Sequence, residues 1–276
     1  MELDLLQYQF IRNAILASIF ASIVCGMIGV IIIEKKLVMM SGGIAHISYG
    51  GVGLGYLFGF EPIIGAFLIS VLAALGIGCI RRKGGTRFDV VIGLFWSLGM
   101  ALGVLFIALM PGYPPDLSSY LFGSILSVTR TDLYLMAILT LFVFLIITLL
   151  FNYWKALIFD EEFAAILGIN TTFLEYLLFV LIAMAVVVLI RVVGITLILA
   201  LFTAPTAIAA MIVKTLSSRM VLSVLLGSIF CLVGLWISYF LNVASGAAIV
   251  IFSAISYSLV YAVMAIIHRS RLLDYR

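Results

Sequence analysis

Polar residues are so sparse along this chain that the apolar runs between them mark out its elements. Hydrophobic runs fall at 14–33, 38–60, 63–80, 89–110, 133–151, 172–190, 194–213, 220–241 and 246–267. At about 1.5 Å of rise per residue, a helix needs about 20 apolar residues to cross a hydrocarbon layer roughly 30 Å thick. The pattern predicts an all-α polytopic membrane protein of eight or nine spans, forming one transmembrane domain over residues 1–276. The count turns on Arg191-Val192-Val193-Gly194, a very short turn between two full crossings. A broken or half-length helix there changes the number by one.

Two connections differ from simple turns. Pro111-Gly112-Tyr113-Pro114-Pro115-Asp116 is too rich in proline for a helix, and the apolar stretch Tyr120–Val128 is too short to span. It reads as a re-entrant or interfacial helix. The second runs from Phe159 to Asn170. Asp160 is placed to cap a helix, Glu161 and Glu162 fall in its positive first turn, and Gly168 is a natural stop. Phe163, Ile166 and Leu167 share one face. A short amphipathic helix is expected here, suited either to a groove on a partner protein or to the lipid headgroups. Its lack of basic residues argues against anionic lipid.

Composition sharpens the class. Hydrophobic residues make up 66% of the 276 and charged residues 10%, against about 25% charged in a soluble domain. The net charge of +3 is too small to suggest a nucleic-acid partner. Its distribution says more. Placing the Glu34–Leu37 loop in the cytoplasm and alternating puts 12 of the 15 lysines and arginines on the cytoplasmic side, leaving only Arg12, Arg130 and Arg191 outside. The positive-inside bias predicts an external N-terminus and a cytoplasmic C-terminus. Met1-Glu2-Leu3-Asp4 lacks a basic leader, so the first run is expected to stay as a span. Cys25, Cys79 and Cys231 are far apart and read as buried, unpaired thiols.

Candidate chemistry centres on His46, read as the one ionisable residue deep within a span, with no intramembrane Asp or Glu. It follows Lys36 by ten residues, which places it about 15 Å in, near the midplane. An ionisable group at that depth points to function, and imidazole is a common metal ligand. Gly42, Gly43, Gly50 and Gly53 surround it in sequence. Two readings stand: a close-packed helix seam holding a hydrogen-bonded histidine, or a pathway-lining side chain for a cation or proton. Ser97 lies among Gly93, Gly99 and Gly103 in the fourth run. Pro205, flanked by Thr203 and Thr206, is expected to interrupt the seventh, either as a pathway element or as a plain kink. No G-x-x-x-x-G-K-[ST], H-E-x-x-H or C-x-x-C occurs, so neither ATP hydrolysis nor other catalysis is expected from this chain.

Several segments, in order, resemble one family: Ser41–Gly55, Asp89–Gly103, Leu121–Leu126, Asp160–Ile169, Gly194–Ala207 and Ser238–Gly246. The chain resembles the ABC-3 permeases, the membrane subunits of zinc, manganese and iron importers. The resemblance implies a fold like that of the vitamin B12 importer (a type II permease) and a homodimer enclosing the path of a divalent metal ion. It also implies an ATP-binding subunit docked on Asp160, Glu161, Glu162, Phe163 and Gly168, and an extracytoplasmic metal-binding protein. No permanently bound cofactor is implied; ATP belongs to the partner subunit. His46 matches the family's pathway histidine and is the one candidate for transient metal contact. Gly42 stands where the family has aspartate, Asn242 where members often have aspartate, and Ala244 where they often have proline. The pathway set implied is His46, Gly42, Gly50, Ser97, Thr203, Pro205 and Asn242. A permease for metal chelates and a stand-alone secondary transporter are the alternatives.

Overall fold

The computed structural model describes residues 8–83, 88–112, 118–123 and 125–273. Met1–Asp4, Arg87, Tyr113–Asp116, Ser124 and Arg276, all used above, lie outside them. In chain order the helices are α1 (Gln9–Glu34), α2 (Val38–Phe58), α3 (Pro62–Lys83), α4 (Phe88–Ala108), α5 (Ser118–Phe122), α6 (Arg130–Leu149), α7 (Phe151–Phe159), α8 (Glu161–Ile166), α9 (Thr171–Val193), α10 (Ile195–Ile212), α11 (Leu216–Leu241) and α12 (Ser245–Leu273), with a 3-10 turn at Ile125–Ser127. Nine are long, one for each hydrophobic run. No strand occurs among the described residues.

Eight of the nine are long and apolar enough to cross a membrane; α2 is the exception. Glycine, serine and histidine dilute its hydropathy, which an enclosed helix tolerates and a lipid-facing one does not. Every residue from Met40 to Gly53 is buried. α2 therefore sits inside the bundle, held by α3 and α4, with α9 and α10 also against it. α4 and α12 are the most open helices.

The glycines make that enclosure possible. A Cβ at Gly51 would stand 2.3 Å from the Gly65 carbonyl oxygen of α3, and one at Gly99 of α4 would stand 2.2 Å from the Ile47 Cα. Gly53 and Gly103 meet at a similar approach, 2.8 Å from the Gly53 Cβ position to the Gly103 oxygen. Small residues at these crossings let backbones touch where lipid offers no hydrophobic drive to associate. The seam reading of the glycines is thus realised.

Charges gather at the two ends. At one end, Lys35 meets Glu161 at 2.5 Å, Arg219 meets Glu34, and Glu175 meets Arg81 at 2.8 Å and Arg82 at 3.2 Å. At the other, Arg191 lies 3.6 Å from Glu61 and 3.9 Å from Asp132. These pairs fasten helix ends to one another. Glu175 corrects the expectation of no carboxylate within a span: it lies in the second turn of α9 with its side chain 5% exposed.

Four further expectations change. The turn at Gly194 is real and takes a single residue, because glycine accepts φ +80° at no Cβ cost. Both flanking helices are full length. The turn rests on the 118–123 segment: Thr196 Oγ1 donates to the Leu121 carbonyl at 2.8 Å, and a Cβ at Gly194 would lie 2.3 Å from the Gly123 nitrogen. Tyr120–Val128 is not one helix but α5 and the 3-10 turn, parted at Gly123 with φ +67°. Within it the Tyr120 hydroxyl lies 2.9 Å from that of Tyr56, and burial, with this bond, pushes the Tyr120 phenol up. Pro205 does not interrupt α10, which runs through it. Finally, Cys79 is exposed; Cys25 and Cys231 are the buried thiols, and all three are free.

Candidate functional site

His46 lies midway along α2, where the Gly-rich turns leave it one aromatic neighbour. Its ring stacks on that of Trp96 from α4, with centroids 3.9 Å apart and planes 16° apart. The residue is 8% exposed, and Nδ1 has no hydrogen-bond partner. A buried polar atom left unpaired costs about 1–3 kcal/mol. Stacking on Trp96 returns on the order of 1 kcal/mol, which offsets only part of that cost. The hydrogen-bonded form of the seam reading is therefore wrong for this nitrogen.

Gly42 and Gly50 lie on the α4 side of α2. A Cβ at Gly42 would meet Trp96 Cζ3 at 2.7 Å, and one at Gly50 would meet the Gly99 oxygen at 3.1 Å. Gly42 thus supplies the space that the indole fills. Ser97, next to Trp96, is exposed on the outer side of α4, and a Cβ at Gly93 would meet nothing within 4 Å. On this side one helix separates His46 from an open face.

The hydroxyls of the expected members on α10 bond their own helix rather than the imidazole. Thr203 Oγ1 donates to the Leu199 carbonyl at 2.8 Å, and Thr206 Oγ1 to the Phe202 and Thr203 carbonyls at 2.5 and 2.8 Å. These hydroxyls serve the backbone around Pro205, which lacks an N–H to give. Asn242 ends α11 in the left-handed region, φ 54°, ψ 41°, and is exposed. Its place there follows from asparagine's tolerance of that conformation. Among the described residues, no three His, Cys, Asp or Glu side chains are grouped so that they could hold a metal ion.

The second candidate region forms as expected, though shorter. The Asp160 carboxylate accepts from the Phe163 N–H at 3.0 Å, and Gly168 adopts φ +82°. α8 covers six residues rather than the whole 160–169 span. Phe163, Ile166 and Leu167 are exposed, while Ala164 is buried against the bundle. Phe159, at 89% exposure, extends the apolar patch. Glu161 turns inward to Lys35, between α1 and α2. Glu162 stays on the first turn. Trp96 and Lys35 are the residues that sequence reasoning missed: each acquires its role from a partner more than 45 residues away, with no local signal.

An all-helical bundle with eight helices long and apolar enough to cross a membrane, a sequestered imidazole and an apolar helix displayed at one end defines a polytopic membrane protein. The model of the ABC 3 transport family matches residues 7–265, and the chain belongs to that family. It is 43% identical to an uncharacterized membrane protein of Synechocystis, covering 91% of this chain and 90% of that one. It is 33% identical to the manganese transport system membrane protein MntC of Listeria monocytogenes, covering 93% and 91%. Among solved structures it resembles a chain of PsaBC from Streptococcus pneumoniae, in complex with Fab, at TM-score 0.84 and 32% identity over 94% of this chain and 93% of that one. An inward-facing, putative metal-chelate type ABC transporter shares the fold at TM-score 0.70 and 18% identity, with 92% and 84% covered.

Proposed function

We propose that this chain is the permease subunit of an ATP-driven divalent-metal importer, working as a homodimer with His46 on the path of the ion. The observation that carries it is the unpaired Nδ1 of a buried imidazole on a helix kept inside the bundle. Neutral imidazole suits zinc and iron, and manganese, which prefers oxygen ligands, binds it more weakly. The names of the relatives, MntC and the manganese import permease ScaB of Streptococcus parasanguinis, favour manganese over zinc. A single nitrogen per protomer offers brief contact, and passage requires weak binding. The lysine-rich end is the cytoplasmic one, following the positive-inside rule, so the N-terminus is external. An ATP-binding subunit docks there on α8, and an extracytoplasmic metal-binding protein delivers the ion at the other end.

His46→Ala tests the reading. Uptake of manganese by the reconstituted complex is expected to fall at least about tenfold, the order of effect of removing a positioned ligand or its support, while assembly and ATPase binding persist. Unchanged uptake with zinc, manganese and iron would remove His46 from the path.

The Lys35–Glu161 pair supplies a mechanical link between α8 and the ends of α1 and α2. Phe163→Ser is expected to abolish co-purification of the ATPase, because the docking patch loses its central ring. Glu161→Lys is expected to leave docking intact but uncouple hydrolysis from uptake, and the exchange Lys35→Glu with Glu161→Lys to restore coupling. If the exchange behaves like Glu161→Lys alone, Glu161 contacts the ATPase instead.

A further inference from the structure

The stack between His46 and Trp96 does more than bury the histidine, and this inference rests on the pathway reading of His46. Three observations converge. The rings lie 3.9 Å apart and nearly parallel, so the indole fixes the plane of the imidazole. Nδ1 then points into protein that offers it no partner. The indole reaches this position because residue 42 is glycine; a methyl group there would stand 2.7 Å from Trp96 Cζ3. The outer side of α4 at this level carries the exposed Ser97, and a Cβ at Gly93 would meet nothing within 4 Å, so among the described residues α4 has open space close to Trp96.

We infer that Trp96 is a latch: stacked, it holds the His46 imidazole in a dry orientation with Nδ1 out of reach of the ion, and its release frees the ring to turn Nδ1 toward the α4 face. Gly42 is the notch that receives the latch. Trp96 is accordingly a positioning residue that acts through His46, and transport alternates between a latched and an unlatched ring. A stacked aromatic pair contributes on the order of 1 kcal/mol beyond the area it buries. That is enough to hold the closed state and small enough for a coupled movement of α4 to overcome.

The test reads the reactivity of the imidazole directly. Diethyl pyrocarbonate modifies accessible neutral imidazole, and peptide mass spectrometry distinguishes His46 from His268, the only other histidine. In the nucleotide-free complex with its ATPase, His46 is expected to be protected. Trp96→Ala is expected to raise its modification rate by about fivefold, the shift that losing a stacked pair worth about 1 kcal/mol produces. Trp96→Phe keeps a stacking face and should stay within about threefold of the parent. Gly42→Ala expels the indole from the other side and should match Trp96→Ala, adding little when both changes are combined. Manganese ions moved per ATP hydrolysed should fall in Trp96→Ala and Gly42→Ala and recover in Trp96→Phe.

The latch is overturned if His46 is as protected in Trp96→Ala as in the parent, or if Trp96→Phe is as reactive as Trp96→Ala. It is also overturned if protection is lost while the ratio of ions to ATP stays unchanged. Should Trp96→Ala fail to assemble, Gly42→Ala carries the same test. Unchanged uptake in His46→Ala would instead sink the pathway reading, whatever the modification rates.

Discussion

Gly99→Ala is expected to destabilise the protein by about 3 kcal/mol, while Gly93→Ala, six residues earlier on the same helix, leaves it unchanged or slightly more stable. The added methyl at 99 would stand 2.2 Å from the Ile47 Cα, 2.7 Å from the His46 carbonyl oxygen and 2.8 Å from the Ile47 nitrogen. All three are backbone atoms of α2, so no side chain can rotate away and α4 must move outward. Overpacking costs about 1–3 kcal/mol, more where the backbone has to shift. The methyl at 93 meets nothing within 4 Å. There the only term is helix propensity, which favours alanine over glycine by up to about 1 kcal/mol. Thermal unfolding of the detergent-solubilised chain separates the two. Equal midpoints for Gly99→Ala and Gly93→Ala would show that α2 and α4 do not cross where the structure places them. Gly99→Ala should also part the His46–Trp96 stack, since moving α4 moves Trp96.

Much of this architecture was legible because membrane helices announce themselves by length and hydropathy. Each of the nine apolar runs became a long helix, and capping chemistry at Asp160 and the stop at Gly168 followed from local rules that need no tertiary context. Pro205 shows the limit of such rules. Proline removes one helical hydrogen bond, but Thr203 and Thr206 bond the neighbouring carbonyls and α1 packs close, with the Gly29 Cβ position 2.6 Å from the Phe202 oxygen. The surrounding helices hold α10 together where sequence alone suggested a break.

The site was legible in part. His46 stood out because an ionisable group among aliphatic residues is rare at that depth. Its partner did not, since nothing in the local pattern of α4 distinguishes Trp96 from a lipid-facing tryptophan. Gly42 illustrates the same gap from the other side. By resemblance it is a ligand position that has lost its carboxylate; in the structure it is the space an indole occupies. The two statements are compatible, because a side chain at 42 and the indole of Trp96 compete for one volume.

Glu175→Ala carries the second large effect, an expected loss of about 3 kcal/mol. The carboxylate is 5% exposed and holds Arg81 at 2.8 Å and Arg82 at 3.2 Å, joining the start of α9 to the end of α3. Arg82 also bonds the Thr172 hydroxyl. Removing one partner of a buried pair typically costs about 3–5 kcal/mol, because the remaining charge is left uncompensated. The guanidinium groups are 26% and 33% exposed, so water recovers part of that loss and the lower end of the range applies. Glu175→Gln keeps two acceptor-capable positions' shape but only one oxygen, and should fall between the parent and Glu175→Ala. The apparent melting midpoint is expected to drop by roughly 6–12 °C in Glu175→Ala, taking about 2–4 °C per kcal/mol for a chain of this size. A drop of no more than about 2 °C would mark the cluster as an ordinary surface ion pair. The same substitution should speed proteolysis between α3 and α4, because α3 loses the contact that ties its end to the bundle. The proteolytic readout separates local release of α3 from a general loss of stability, in which cleavage would spread to the α8 region as well.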